Sequence, residues 1–179
     1  MNGLMQGKRG LIMGLANNKS LAWGIAQQLA AQGAELAFSY QGEALGKRVI
    51  PLAAELGSDF TFECDVSDMD ALDSAFATLA ERWPTIDFVV HAIGFSDKNE
   101  LRGLYVDTSL ENFLMTMNIS AYSLVAVAKR ARPMMSNGGS IVTRAITAPK
   151  RSSRTTTSWA SPRPRWRRAS STSPTIWGA

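Results

Sequence analysis

Residues 7–26 read GKRGLIMGLANNKSLAWGIA, and this stretch decides the fold of the chain. The short apolar run at residues 11–13 predicts a buried strand, which Gly14 ends. A polar loop follows, and from Ser20 onward apolar residues recur at helical spacing as far as Gly33. The stretch therefore predicts a strand, a glycine turn and a helix, with Ser20 as the helix N-cap.

The same turn predicts an anion site. Gly14 has no Cβ, so its backbone can turn sharply and approach a pyrophosphate closely. The helix that begins near Ser20 aims free N–H groups and a partial positive charge at the same anion. We expect Gly24, on the first helical turn, to allow close packing of helix and strand. The pattern G-x5-S-x-A-x-G thus predicts the first unit of a dinucleotide-binding sheet.

Strand and helix patterns alternate through the following residues. Strands are predicted at residues 35–40, 60–64, 86–92 and 140–143, and helices at residues 43–56, 67–82 and 109–135. Ser67 is the predicted cap of one helix, and Thr108 with Glu111 forms a predicted capping box before the last.

This alternation indicates an α/β fold, a Rossmann-like doubly wound parallel sheet that is incomplete at about five strands. Ligands of such sheets bind beyond the carboxyl ends of the strands, where the strand order reverses. Here that point lies between the first and fourth predicted strands. Gly14, Asp65 and Ile93 all follow strands at this edge, so the sequence predicts that they meet there.

Charge divides the chain into two parts. All 15 acidic residues lie before position 144, whereas the tail beyond it is basic and rich in Ser, Thr, Pro and Arg. We therefore expect a Rossmann-type domain at residues 1–143 and a non-native, disordered tail at residues 144–179. The positive net charge of +4 comes from this tail.

Composition also narrows the function classes. No apolar run is long enough to span a membrane, and the N-terminus lacks the pattern of a signal peptide. With a single cysteine, Cys64, we expect a cytoplasmic protein without disulfides and without a metal site. Cys64 reads as a small buried hydrophobe, and His91, inside a strand, as a structural residue.

Five segments carry a resemblance to a known family. They are the glycine turn, F-S-Y-Q at residues 38–41, C-D-V at 64–66, H-A-I-G-F at 91–95 and N-I-S-A-Y-S at 118–123. Residues 1–143 thereby resemble the NADH-dependent enoyl-acyl-carrier-protein reductases of bacterial fatty acid synthesis, in the short-chain dehydrogenase/reductase superfamily. The resemblance implies NADH as the cofactor, a trans-2-enoyl thioester on acyl carrier protein as the substrate, and a homotetramer. It implies neither a membrane partner nor a specific nucleic acid.

The resemblance also implies roles for matching residues, from the pyrophosphate to the substrate. These are Gly14, Ser20 and Leu21 at the pyrophosphate and ribose, Gln41 and Asp65 at the adenosine, Val66 on the adenine ring, Ile93 and Gly94 at the nicotinamide ribose, and Phe95 and Ser96 at the thioester. Plainer interpretations remain open, namely an ordinary turn for Gly14, a helix cap for Asp65 and a core strand for Ile93.

Cofactor choice has a local interpretation. Gln41 stands where many dinucleotide-binding folds carry an acidic residue for the ribose 2′-hydroxyl. Glu43 nearby would repel a 2′-phosphate, which favours NADH. Lys47 and Arg48 keep NADPH open as the alternative.

The tail lacks the residues that the family's chemistry needs. In that family a Tyr-x6-Lys pair follows the fifth strand, whereas no tyrosine follows Tyr122 here. We therefore assign no catalytic residue and expect this chain to be inactive. Permitted codons for residues 145–163, read from the third base of codon 145, give Y-Y-G-A-E-K and then V-V-P-H-Y-N-V-M-G-V-A-K, which contains the missing pair. We interpret the tail as out-of-frame translation, and we do not expect the tetramer for this chain.

Three alternatives accompany this interpretation. The first is that the chain is a non-catalytic nucleotide-binding remnant, and the second that it is a different short-chain dehydrogenase/reductase. The third is that its tail contacts nucleic acid. The last rests on a cluster of arginines around Trp166, which could contact phosphates and stack on bases: Arg163, Arg165, Arg167 and Arg168.

Overall fold

The computed structural model describes residues 3–143 of the chain, so the basic tail and its arginine cluster lie outside the described residues. The strands are β1 (Arg9–Met13), β2 (Glu35–Tyr40), β3 (Thr61–Glu63), β4 (Phe88–His91) and β5 (Ser140–Thr143). The helices are α1 (Leu21–Ala31), α2 (Gly42–Glu55), α3 (Met69–Arg82), α4 (Leu110–Met117) and α5 (Ser123–Ala131). A π turn (Asn118–Tyr122) joins α4 to α5, and 3-10 turns lie at Tyr105–Asp107 and Arg132–Met134.

The strands form one parallel sheet in the order β3-β2-β1-β4-β5. β1 lies between β2 and β4, so the strand order reverses at β1 and β4, as predicted. The α/β class and the doubly wound sheet are confirmed. Among the described residues, no helix is both long and apolar enough to cross a membrane.

Apolar side chains fill a core on each face of the sheet. Along β1, Leu11 and Met13 join one buried cluster, whereas Ile12 between them joins the other. β4 divides in the same way, with Val89 on the first face and Val90 on the second. Because both faces are covered, these strands are apolar at consecutive positions instead of alternating with polar ones.

The helix caps agree with the sequence at one of three positions. The Ser20 Oγ accepts the Trp23 N–H at 3.4 Å, so Ser20 caps α1 as predicted. The prediction of Ser67 for α3 is wrong, because the Asp68 carboxylate accepts the N–H groups of the first turn. Ser67 and Asp68 are both residue types that can cap a helix. Asp68 caps α3, and the Ser67 hydroxyl donates to Asp65 instead.

The predicted capping box at Thr108 is also wrong by one position. Ser109 is the cap of α4, and its Oγ accepts the Asn112 N–H at 3.1 Å. Glu100, from the preceding loop, accepts the Ser109 N–H at 2.9 Å and the Ser109 hydroxyl at 2.8 Å. Glu100 thus accepts the N-cap N–H, which in a capping box the side chain three positions later would accept, and the Thr108 N–H donates to the Tyr105 carbonyl.

Two further expectations about helices are wrong. The helix predicted over residues 109–135 is interrupted by the π turn, where the Ser123 hydroxyl donates to the Ile119 carbonyl at 2.6 Å. Its second half, α5, ends before Pro133 instead of continuing to residue 135. Gly24 does not mediate close packing, because it is exposed and a Cβ built there meets no atom within 4 Å. Ala22, Trp23 and Ala26 are the buried residues of α1.

Candidate functional site

An open cleft of about 230 Å³ lies at the carboxyl edge of the sheet, where the strand order reverses. Its walls come from the end of β2, from the residues that follow β1, β2, β3 and β4, and from α2 and the π turn. The lining residues are Gly14, Leu15, Ala16, Ser39, Tyr40, Gln41, Leu45, Cys64, Asp65, Val66, Ala92, Ile93, Gly94, Phe95 and Ile119. The predicted meeting of Gly14, Asp65 and Ile93 therefore occurs.

The turn after β1 forms the floor of this cleft. Gly14 has a φ of +88°, a conformation that residues with a side chain adopt only at a cost. A Cβ built on Gly14 would collide with the Ala92 carbonyl at the end of β4. Gly14 is therefore more than an ordinary turn residue, because both its conformation and its contact with β4 require glycine.

The loop from this turn leads into α1. The Asn17 side chain accepts the Lys19 N–H at 2.8 Å, and the Ser20 hydroxyl donates to the Asn17 carbonyl at 2.7 Å. The first turn of α1 carries no acidic side chain, so the partial positive charge of the helix terminus is not neutralised from within the helix. Ser20 and Leu21 do not line the cleft but lie at this terminus, where Leu21 is exposed.

At the β3 end of the cleft, the Asp65 carboxylate is held by three donors. The Gln41 amide donates to one oxygen at 2.7 Å, and the Ser67 backbone N–H and hydroxyl donate to the other at 2.8 and 2.6 Å. Burial raises the pKa of Asp65, but the hydrogen bonds from Ser67 and Gln41 outweigh burial and hold this pKa below its usual value. Asp65 is thus an ionised acceptor at the cleft, and Asp68 is the side-chain cap of α3.

The opposite wall is the segment after β4, which the π turn holds in place. The Ser120 hydroxyl accepts the Phe95 N–H at 3.0 Å and lies 3.2 Å from the Phe95 carbonyl, to which it can donate. The Phe95 side chain is 55% exposed at the open end of the cleft. Sequence reasoning assigned no role to Ser120 or Ile119, although both belong to the N-I-S-A-Y-S segment that it singled out.

Ser96 does not line the cleft, in contrast to Phe95. Its hydroxyl donates to the Asn112 side-chain oxygen at 3.3 Å and accepts the Thr116 hydroxyl at 2.9 Å. The buried Asn112 also accepts the Asp97 N–H at 3.0 Å and donates to Glu100 at 3.2 Å. Asn112 therefore fastens the loop after the cleft to α4, a role that its sequence position alone did not reveal.

His91 lies at the end of β4, 1% exposed, between two hydroxyl groups. Its Nε2 is 2.8 Å from the Ser123 Oγ and its Nδ1 is 3.3 Å from the Thr143 Oγ1. Because the Ser123 hydroxyl donates to a carbonyl, we assign the imidazole proton to Nε2, with Nδ1 accepting from Thr143. Burial lowers the pKa of His91, so the ring stays neutral and joins α5 to β5, which supports the structural interpretation.

This buried imidazole predicts a loss of stability in mild acid. In the unfolded chain the imidazole of His91 takes up a proton as the pH falls below about 6.5. In the folded chain it remains neutral to lower pH, because burial lowers the pKa of His91. The free energy of unfolding should therefore fall between about pH 7 and pH 5, by up to about 1.4 kcal/mol per pH unit. Urea unfolding at several pH values measures this slope.

A matched variant isolates the contribution of the ring. His91 is the only histidine of the chain, so His91→Gln removes every imidazole titration. The variant should lose the slope between about pH 7 and pH 5 and retain only the acid loss below about pH 4, where carboxylates such as Asp65 titrate. An unchanged slope in the variant would contradict the assignment.

Cys64 also borders the cleft but is buried, and burial raises the pKa of its thiol to about 11. The thiol is therefore protonated at neutral pH, which agrees with an inert side chain. Among residues 3–143, no group of three or more His, Cys, Asp or Glu side chains could hold a metal ion.

The spacing Tyr-x6-Lys occurs twice in the described chain, at Tyr40/Lys47 and Tyr122/Lys129. Both pairs precede β5, so neither occupies the position of the family's pair. Lys47 forms an ion pair with Glu43 at 2.7 Å on the exposed face of α2. Of the four residues, Tyr40 alone lines the cleft.

Known proteins match the part of the chain that forms this cleft. A family model described as enoyl-(acyl carrier protein) reductase matches residues 14–161. Enoyl-(acyl-carrier-protein) reductase (NADH) 2 of Rhizobium meliloti (strain 1021) is 65% identical over 143 residues, which are 80% of this chain and 53% of the relative. FabI of Rickettsia bellii (strain RML369-C), named an enoyl-(acyl-carrier-protein) reductase (NADH), is 53% identical over 141 residues, or 79% and 54% of the two chains.

Solved structures give the same result. FabI from Candidatus Liberibacter asiaticus aligns with a TM-score of 0.78 at 53% identity, covering 80% of this chain and 55% of that one. The enoyl-(acyl-carrier-protein) reductase of Anaplasma phagocytophilum, described as a complex with NAD, aligns with a TM-score of 0.77 at 58% identity and covers 80% and 55%. The chain spans about half the length of the curated relatives it matches. With a family model that matches most of its length, the chain belongs to the enoyl-(acyl carrier protein) reductase family.

Proposed function

We propose that the cleft binds NADH, with the pyrophosphate against the turn at Gly14 and the adenosine beside Asp65. The observation that carries this proposal is the Gly14 turn, where a Cβ would collide with the Ala92 carbonyl. A backbone that admits no side chain can lie against a pyrophosphate, and the N-terminus of α1 adds a favourable field. The relatives support NADH, since they are named NADH enzymes and one solved relative holds NAD.

The remaining roles follow the order of residues along the cleft. Gln41 would lie at the adenosine, Val66 against the adenine ring, and Ile93 with Gly94 along the nicotinamide ribose. Ser20 and Leu21 would meet the pyrophosphate and the neighbouring ribose through the backbone at the start of α1. The ionised Asp65 can accept a hydrogen bond from the adenine amino group, since its carboxylate borders the cleft.

For the full-length parent we propose reduction of a trans-2-enoyl thioester on acyl carrier protein in bacterial fatty acid synthesis. NADH, when bound, supplies the hydride for the β-carbon of the enoyl group. Phe95 offers an exposed apolar surface at the cleft for the thioester, and Ser96, which follows it outside the cleft lining, would have to give up its contacts with Asn112 and Thr116 to reach the substrate. Ser120 would keep the Phe95 backbone in place while the substrate binds.

For the chain as written we propose binding without turnover. Residues 1–143 form the Rossmann-type domain and residues 144–179 an out-of-frame tail. No tyrosine follows position 143, so no side chain of the family's kind is available to hydrogen-bond the thioester carbonyl and stabilise the enolate. For this chain we therefore favour the alternative of a non-catalytic nucleotide-binding remnant.

Two assays on the same preparation test this proposal. Equilibrium dialysis should show saturable binding of NADH, and a spectrophotometric assay with a trans-2-enoyl thioester should show no NADH oxidation above the rate without protein. Oxidation that depends on the protein would contradict the proposed inactivity. Absence of NADH binding to a folded chain would contradict the proposed site.

Assembly is predicted to differ from that of the family. Apolar side chains remain exposed along α4, the π turn and α5, and those of large size are Leu110, Leu114, Met117, Tyr122 and Val125. The family's homotetramer uses this long helix together with a segment after the fifth strand, and in this chain the tail that we interpret as out-of-frame takes the place of that segment. Sedimentation velocity should therefore show no defined tetramer, and a single tetrameric species would contradict this expectation.

A further inference from the structure

Two carboxylates from the β3 end reach the turn between β2 and α2. The Glu63 Oε1 accepts the Gly42 N–H at 3.0 Å, and Asp65 accepts the Gln41 amide at 2.7 Å. Glu63 is the register partner of Tyr40, the last residue of β2, so its side chain starts beside this turn. Both carboxylates therefore contact the turn at Gln41 and Gly42, where the sequence predicted the adenosine; Asp65 lines the cleft, whereas Glu63 lies beside the turn and outside the lining.

Glu63 takes the place of a cap at the start of α2. Gln41 is the N-cap residue of this helix, but its side chain makes no capping hydrogen bond. The first helical residue, Gly42, gives its N–H to Glu63 from the neighbouring strand. An N–H group at a helix N-terminus is a natural partner for an anion, and here a carboxylate of the chain already occupies it.

The position of this contact bears on cofactor choice. In dinucleotide-binding sheets the adenosine ribose lies beyond the second strand, where an acidic residue accepts the 2′-hydroxyl or a basic residue binds a 2′-phosphate. Gln41 replaces the usual acidic residue here, and Lys47 is paired with Glu43. Glu63 brings a negative charge to this turn from β3, about twenty positions further along the sequence than the usual acidic residue.

We propose that Glu63 is the residue that determines specificity for NADH over NADPH. Its carboxylate occupies the Gly42 N–H that a 2′-phosphate would use and repels that phosphate, while leaving the 2′-hydroxyl of NADH unhindered. This inference rests on the proposed binding of NADH in the cleft. It also differs from the interpretation that Glu43 excludes the phosphate, since Glu43 is 83% exposed and neutralised by Lys47.

Dissociation constants of NADH and NADPH for four proteins test this inference: the 179-residue chain, Glu63→Gln, Glu63→Ala and Glu43→Gln. Glu63→Gln removes the charge but retains an oxygen for the Gly42 N–H, whereas Glu63→Ala also frees that N–H. We expect the preference for NADH over NADPH to fall about tenfold in Glu63→Gln and further in Glu63→Ala. Glu43→Gln, the matched control, should change the preference by less than about twofold.

The adenosine half can be tested separately with smaller probes. Adenosine 5′-monophosphate and adenosine 2′,5′-bisphosphate differ only by the phosphate at the ribose 2′ position, and both lack the nicotinamide half of the cofactor. Glu63→Gln should improve binding of the bisphosphate about tenfold and leave binding of adenosine 5′-monophosphate unchanged. Circular dichroism melts of all four proteins show whether loss of the contact with α2 alters folding, which would affect both ligands equally.

The outcomes separate the two proposals. If the 179-residue chain binds none of the four ligands, the proposed function fails and the inference fails with it. If the chain binds NADH and Glu63→Gln keeps the original preference, Glu63 is not the determinant, although the proposed function stands. A shift in Glu43→Gln instead of the Glu63 variants would assign the specificity to Glu43 and overturn the inference.

Discussion

Replacement of Gly14 by alanine is expected to abolish useful NADH binding and to lower the free energy of unfolding by about 3 kcal/mol. A side chain at a φ of +88° is strained, and its Cβ would also collide with the Ala92 carbonyl. The turn must then withdraw from β4, which moves its backbone N–H groups away from the pyrophosphate. We expect NADH affinity to fall by about a hundredfold, equivalent to about 2.7 kcal/mol.

Gly24→Ala is the matched control for this variant. The same change is made ten residues away in the same motif, but at a position on α1 where a Cβ meets no atom within 4 Å. Alanine should stabilise the chain there by about 0.5–1 kcal/mol, since glycine is unfavourable inside a helix. Urea unfolding and NADH titration of both variants make the comparison. Equal behaviour of Gly14→Ala and Gly24→Ala would contradict the role given to the Gly14 turn.

Restoration of the reading frame after residue 143 is the second change with a large expected effect. One added base should replace the tail by a sequence with the two tyrosines and the lysine, and NADH-dependent reduction of a trans-2-enoyl thioester should appear where the written chain has none. Replacing the tyrosine of the restored Tyr-x6-Lys pair by phenylalanine should then lower the rate by about a hundredfold or more, since the hydroxyl assists the enolate.

The coding DNA across codons 138–165 provides the control for this prediction. An additional base in that DNA would mean that the parent is a full-length reductase and that the tail arose in reading the sequence. DNA that agrees with the written chain would mean that the gene is a broken copy. A restored chain that folds and binds NADH but reduces no enoyl thioester would contradict the proposed parent activity.

The sequence predicted the sheet well because its signals are local. β2 has the predicted bounds and β5 begins at the predicted residue, since glycines or turn residues lie beside each apolar run. The reversal of strand order at β1 and β4 followed from alternation of strands and helices together with the glycine turn. These two results were sufficient to bring Gly14, Asp65 and Ile93 to one edge.

The errors arise where tertiary contacts choose between local possibilities. Thr108 and Ser109 can both cap a helix, and the reach of Glu100 from the loop selects Ser109. The π turn is one irregular turn within an apolar helical pattern, and periodicity alone does not reveal it. Gly24 fits a packing motif but faces away from the sheet.

Contacts between side chains of the site were also beyond the sequence. The hydrogen bond from the Gly42 N–H to Glu63 joins the start of α2 to the end of β3. The contacts of Ser120 with Phe95 join the π turn to the loop after β4. Each pair lies about twenty or more positions apart in the chain, so only the register of the sheet and the packing of the helices bring its members together.

In our proposal NADH binds in the cleft at the carboxyl ends of β1, β3 and β4. Amide NMR spectra of the isotope-labelled 179-residue chain, recorded during titration with NADH, test this most directly. We expect saturable shifts for the amides of Gly14, Asp65, Ile93 and Gly94, with little change on the outer turns of α2 and α3. A folded chain whose shifts cluster elsewhere, or that shows none at saturating NADH, would contradict it.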